Sequence, residues 1–125
     1  MMDKIATDKA PAAIGPYSQA IVANGILYTS GQIAIDPMVG DIVAKGIEEQ
    51  TEQVMQNLAA VLEAAGSSFD KTIKTTCFLS DIKDFAAFNA IYARYFSSKP
   101  ARSCVAVKDL PKGALVEVEV IALVN

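Results

Sequence analysis

There is no histidine anywhere in the 125 residues, and no tryptophan. The first absence excludes a great deal. Without imidazole there can be no Ser-His-Asp or Cys-His pair to activate a nucleophile, and no imidazole-ligated metal. Cysteine is almost as scarce: Cys77 and Cys104 are too few for a metal cluster or a secreted disulfide framework, so the chain reads as reduced and intracellular. Basic charge is thin as well. Eleven scattered Lys and Arg against fourteen Asp and Glu leave a net charge of -3, and nucleic acid is not the expected partner. No run of eighteen apolar residues occurs, and Met1-Met2-Asp3-Lys4-Ile5 has no apolar stretch of signal-peptide length, so the expectation is a cytoplasmic protein with no membrane partner. What is abundant is apolar side chain. At 52% hydrophobic and 20% charged, the chain is expected to bury an extensive core as one domain over residues 1–125.

Local patterning gives an α+β order. Residues through Ala13 read as an extended lead-in. Tyr17–Val22 and Ile26–Thr29 flank Ala23-Asn24-Gly25, and Asn-Gly between apolar runs signals a tight hairpin because a type I′ turn needs positive φ at both central residues. Gly31 suggests a bend or a close backbone approach, an ordinary loop glycine being the plainer reading. Asp36-Pro37 and Gly40-Asp41 mark a loop with a short strand near Ile42-Val43. From Ile47 the apolar period becomes three and four (Ile47, Thr51, Val54, Leu58, Val61, Leu62, Ala65), with acidic residues in the first turns and Gly66 at the C′ position of a helix. Its opposite face reads as a solvated stripe. Thr72–Ser80 is a β-branched strand in which Cys77 falls with Ile73, Thr75 and Leu79 as a small core hydrophobe. Asp84 can cap a second helix, Phe85–Phe96, with a broad aromatic stripe and Asn89 near its edge.

Two alternating strands close the chain, Pro100–Val107 and Leu115–Val124. Alternation puts Ser103, Val105 and Val107 on one face of the first and Arg102, Cys104 and Ala106 on the other; in the second, Val116, Val118, Val120 and Ala122 oppose Glu117, Glu119, Ile121 and Leu123. If both valine faces look toward the helices, Arg102, Cys104, Glu117 and Glu119 share the far face, and Ser103 points to the core. A strand Arg beside two Glu is ordinarily a cross-strand ion pair on a solvated face. Here Cys104, Ala106, Ile121 and Leu123, with Phe78, make the face too apolar to lie in water, so its charge is expected to be paired or to await a charged ligand. An apolar sheet face that two helices cannot cover also implies a partner surface, most economically a copy of the same chain.

Pro100-Ala101-Arg102-Ser103-Cys104-Val105, followed by Leu110-Pro111 and Val116-Glu117-Val118, resembles the C-terminal signature of the Rid (YjgF/RidA, L-PSP-type) family. Ala13-Ile14-Gly15-Pro16-Tyr17-Ser18-Gln19-Ala20, Thr29-Ser30-Gly31-Gln32-Ile33 and Phe85-Ala86-Ala87-Phe88-Asn89 with Tyr92 are similar to further motifs of that family, in the same order over nearly the whole chain. The resemblance implies a chorismate-mutase-like α+β fold, a mixed sheet of about six strands with two helices on one face, whose last two strands are separated by another strand. It implies a homotrimer with active sites in the clefts between subunits, and an activity that needs neither cofactor nor metal. That activity is hydrolysis of 2-imino acids and their enamine tautomers, such as 2-iminobutanoate and 2-iminopropanoate, to 2-oxo acids and ammonia.

By the same resemblance Arg102, Glu117 and Cys104 carry the chemistry, and Tyr17, Ser30, Gly31 and Asn89 line the cleft with them. The residue types suit the task. A guanidinium is a planar two-pronged donor that matches a carboxylate, worth roughly 1.5–3 kcal/mol as a charge-assisted contact. A protonated imine carbon is electrophilic enough for a water positioned by a carboxylate, the role implied for Glu117 with backbone groups at Cys104. Cys104 as a covalent nucleophile lacks a base to activate it. Glu119 is expected to be an ion-pair partner within the trimer. A ligand-sensing or protein-binding trimer is the competing reading, and an endoribonuclease or translation inhibitor, names that some relatives carry, the third. The link Ser97-Ser98-Lys99 is shorter than in many relatives and bears on the cleft rim.

Overall fold

The computed structural model describes residues 2–124 and builds a six-stranded mixed sheet with two helices on one face. The strands are β1 (Met2–Ile5), β2 (Ala20–Ala23), β3 (Ile26–Thr29), β6 (Thr72–Leu79), β7 (Ala101–Ala106) and β8 (Val116–Leu123), ordered β1-β2-β3-β8-β6-β7. Among the described strands only β6 and β7 pair in parallel, joined across helix α2 (Phe85–Tyr95). The expected lead-in thus begins with a strand, β1 pairing antiparallel with β2. β2 and β3 form the expected hairpin, with Asn24 and Gly25 at φ 53° and 75°. In the loop that follows, β4 (Ile35–Asp36) and β5 (Asp41–Ile42) make a separate two-stranded ribbon. As the family resemblance implied, β7 and β8 are not neighbours: β6 lies between them.

Helix α1 (Ile47–Ala64) buries the apolar stripe read from its period, and its end is closed by Gly66 N–H to Glu63 O (3.0 Å) and Ser67 N–H to Leu62 O (2.8 Å). Leu58 and Val54 are fully buried against the sheet, about 1.5–3 kcal/mol for each such side chain. Helix α2 and its C-cap residue pack Phe88, Tyr92 and Phe96 into the same core, the last two rings stacked at 4.5 Å. Asp84 stands at the N-cap of α2 without capping it; the carboxylate of Asp81 accepts instead from Lys83 N–H, in the 3-10 turn before the helix. The outer face of α1 is not wholly a solvated stripe, since Glu52 pairs with Arg94 and accepts from the Tyr95 hydroxyl at 2.6 Å.

The face assignment of β7 is corrected by its register. In a parallel pair, partnered residues point the same way, and β7 sets Cys104 opposite Cys77 and Arg102 opposite Thr75. Cys77 and Thr75 are fully buried under the helices, so Arg102 and Cys104 lie on the helix side, and Ser103 and Val105 on the open side. The valines of β7 misled the reading because β7 is an edge strand whose inner face meets α2 through Arg102, while Val105 stays 47% exposed. Ala106 pairs with Leu79 and so also leaves the open face. Ile73 is likewise displaced from the core: a register shift between Thr72 and Lys74 turns it outward. Glu117, Glu119, Ile121 and Leu123 do occupy the open face, beside Phe78 and Tyr28.

Candidate active site

The site residues form two separate clusters. The first is organised by Arg102. Helix α2 presents Phe85, Asn89 and Tyr92, spaced four and three, to the edge of β7. Arg102 Nη1 donates to Asn89 Oδ1 at 2.6 Å, and the guanidinium carbon lies 4.7 Å from the Tyr92 ring centre and 5.4 Å from that of Phe85. Arg102 is half-buried, and among the described residues no carboxylate lies within ion-pair distance of it. It borders a groove of about 490 Å³ that also meets Asn89, Tyr92, Phe96 and Lys99. One neutral acceptor occupies one of five N–H donors, so a two-pronged edge stays available for a carboxylate.

Cys104 follows two residues on, half-buried against the core. Burial pushes its thiol up, and the nearby Arg102 charge only partly offsets that. Cys77 is pushed up to about 12 by burial. Two protonated thiols suit packing and not nucleophilic attack.

The second cluster is organised by Glu117, half-buried on the open face of β8. The 30–33 segment is laced to that strand by Gln32 N–H to Val118 O (2.9 Å) and Val118 N–H to Gln32 O (3.1 Å). This brings the Gly31 backbone under the Glu117 side chain. A methyl group at position 31 would come within 2.7 Å of the Glu117 carboxyl carbon, so the close approach is the reason for glycine. Burial, and secondarily Glu119, raise the Glu117 carboxyl above the usual range. Ser30 donates its hydroxyl to Ser18 O at 2.6 Å, which ties down the loop carrying the exposed Tyr17. Tyr17, Gly31, Gln32, Pro111 and Glu117 border a smaller cavity of about 130 Å³.

Three buried polar residues hold these walls, and sequence reading gave them no role. The Gln19 amide accepts from Thr7 N–H at 2.7 Å and donates to Pro11 O at 2.8 Å, fixing the segment beside Tyr17. Asn57 donates to Ile33 O and Ile35 O. Thr75 shares a 2.7 Å hydrogen bond with the Tyr92 hydroxyl. The available signal was a polar residue inside an apolar stripe, as Asn57 is between Val54 and Leu58. Among the described residues no group of three or more Cys, Asp or Glu could hold a metal ion, and no helix is long and apolar enough to cross a membrane.

The family model described as Endoribonuclease L-PSP matches residues 7–124. The crystal structure of YyfA from Yersinia pestis, a Rid-family protein of unknown function, superposes with a TM-score of 0.96 at 56% identity, covering 99% of this chain and all of that one. The chain belongs to the Rid (YjgF/L-PSP) family. Its relatives carry different names. A Lactococcus lactis protein, named provisionally as the regulator AldR, is 58% identical over 125 residues, 99% of each chain. The human 2-iminobutanoate/2-iminopropanoate deaminase is 47% identical over 120 residues, 95% of this chain and 88% of that one. Proteins of this family therefore include imine deaminases acting on small molecules, and Arg102, Cys104, Glu117, Tyr17, Ser30, Gly31 and Asn89 stand in two clusters on opposite sides of one sheet.

Proposed function

We propose that this Rid-family protein is a cofactor-free deaminase of short 2-imino acids, 2-iminobutanoate and 2-iminopropanoate, acting in the cytoplasm as a homotrimer with its active sites between protomers. The observation that carries the reading is Arg102: a guanidinium braced by a neutral amide and two aromatic rings, facing a groove, with no carboxylate paired to it among the described residues. A half-buried cation in that state favours a small anion, and the carboxylate of a 2-imino acid is one.

The second cluster supports the assembly. Glu117 lies on the other side of the sheet, on an apolar face that leaves Tyr28, Val105 and Leu123 about half exposed. A copy docked on that face would bring its own β7 edge toward Glu117. One surface then meets a different surface, a heterologous contact that closes into a ring under three-fold symmetry. In the cleft so formed, Arg102 holds the substrate carboxylate, with Asn89 as its brace and Cys104 supplying backbone groups. Tyr17, Ser30 and Gly31 form the facing wall. Glu117 accepts a proton from water as its oxygen adds to the C=N carbon. That proton goes to nitrogen, and Glu117 takes the hydroxyl proton of the carbinolamine as the C–N bond breaks. The released ammonia picks it up to leave as ammonium beside a 2-oxo acid. The raised carboxyl suits this duty because it makes Glu117 a stronger base than an ordinary glutamate.

Threonine with a dehydratase generates 2-iminobutanoate, and added protein is expected to speed its loss. Arg102→Ala is expected to cut the acceleration about ten- to hundredfold while leaving the assembly intact. Unaccelerated loss together with binding of 2-oxobutanoate would favour the second reading, a carboxylate-sensing regulator, which the provisional name of the Lactococcus lactis relative supports. Net charge of -3 and the lack of histidine make RNA cleavage the weakest alternative.

A further inference from the structure

Arg102 has a long, flexible stem, and something must hold it for its forked donor to meet a small ligand in one orientation. Asn89 supplies one hydrogen bond. The closest ring is Tyr92, and Tyr92 is itself held from three directions. Its ring stacks on Phe96 at 4.5 Å and lies tilted against Phe88 at 5.6 Å. Its hydroxyl is hydrogen-bonded to Thr75 Oγ1 at 2.7 Å, and Thr75 is fully buried on β6 as the register partner of Arg102 itself. The links form a closed loop. β7 carries Arg102, β6 sets Thr75 beside it, Thr75 pins Tyr92, and the Tyr92 ring lies over the guanidinium. A phenylalanine would fill the same aromatic core with no buried hydroxyl to satisfy, so the hydroxyl and its partner fix where the ring sits rather than whether it is buried.

We propose that Tyr92, pinned by Thr75, is a positioning residue for the anion-binding guanidinium of Arg102, presenting it to the carboxylate of the ligand by a cation–π contact on its rear face. The inference rests on the reading of Arg102 as the carboxylate anchor and adds the residues that aim it.

The test is the dissociation constant for 2-oxobutanoate, measured by calorimetry on the assembled protein, alongside the melting temperature. Tyr92→Leu removes the ring and is expected to weaken binding roughly three- to thirtyfold, the range for loss of a cation–π contact between exposed and desolvated limits. Tyr92→Phe keeps the ring but loses the pin, and Thr75→Val loses the same hydrogen bond, so both are expected to fall between wild type and Tyr92→Leu. In an Arg102→Ala background, Tyr92→Leu is expected to add nothing, because the group it aims is gone. If Tyr92→Leu does not fold, Tyr92→Met takes its place with the same expectations. A merely structural Tyr92 would lower the melting temperature without changing affinity, or cost as much with Arg102 absent as present, and either result overturns the inference. Affinity insensitive to Arg102→Ala overturns the anchor reading and this inference together. Affinity sensitive to Arg102→Ala but not to loss of the Tyr92 ring overturns this inference alone.

Discussion

Two impaired variants, Arg102→Ala and Glu117→Gln, are expected to regain activity when unfolded together and refolded into mixed trimers. The two side chains leave opposite faces of one sheet, Arg102 with the buried Thr75 and Glu117 with the open-face Phe78, so the backbone layer stands between them within a protomer. A four-carbon ligand cannot bridge it. Removing the guanidinium forfeits roughly 1.5–3 kcal/mol, about a ten- to hundredfold loss. Removing the base is expected to cost about a hundredfold or more. In the proposed ring each cleft takes Arg102 from one protomer and Glu117 from the next. At equal mixing each has an even chance of being intact, so about a quarter of clefts hold both and the mixture runs at about a quarter of the wild-type rate. Each parent alone stays at a tenth or less by the same estimate. The assay is the loss of 2-iminobutanoate, with native mass spectrometry to verify that mixed trimers formed. If the mixture of verified mixed trimers stays at the level of its parents, both groups serve one cleft from one protomer and the reasoning fails.

Gly31→Ala is expected to leave the fold intact, because the atoms it meets are the flexible end of Glu117, yet to push that carboxylate aside. A loss on the order of a hundredfold with little change in melting temperature is the expected result, and wild-type activity would contradict the placement of Glu117. The pH–rate profile is expected to show an acid limb above the ordinary glutamate value of about 4.3, since burial raises Glu117 and its ionised form is the proposed base. Glu119→Gln removes the neighbouring anion and is expected to shift that limb to lower pH; an unmoved limb would assign it to another group. The sign for stability is opposite to that of a paired carboxylate. A raised folded-state pKa gives stability that is fullest below the unfolded value and is lost as pH rises through the folded one. Glu117→Gln is therefore expected to resist denaturant better than wild type at neutral pH.

Much of this architecture can be read from local pattern. The period of Ile47 to Ala65, the Asn24-Gly25 turn and the alternation of Val116 to Leu123 each act over a few residues, and each stands where its pattern places it. The face of β7 could not be read in that way. Val105 on an edge strand looks the same as Val118 on a central one, and only the neighbouring strand decides which way it points. Hydrophobicity marked Val105 as core, whereas the helix side of β7 is filled by Arg102 against aromatic rings. The roles of Asn57, Gln19 and Thr75 were hidden for a related reason. Position in an apolar stripe can flag a buried polar side chain, but its role is set by its partner, here Ile33, Pro11 and Tyr92, which local pattern does not supply.

The placement of Arg102 and Glu117 on opposite faces of the sheet keeps the two charges apart. Had Arg102 and Glu117 shared one face, with only β6 between their strands, a half-buried cation and a half-buried carboxylate would lie close enough to attract and neutralise each other. A substrate carboxylate would then compete with a resident one, and the base would be depressed rather than raised. On opposite faces neither neutralises the other. The ion pairs that do form lie at the periphery, Lys83 with Asp81, Arg94 with Glu52 and Lys112 with Asp41, and leave both groups alone. On the proposed roles, each protomer carries an anchor and a base that cannot share one cleft, and the chemistry is expected only where two copies meet.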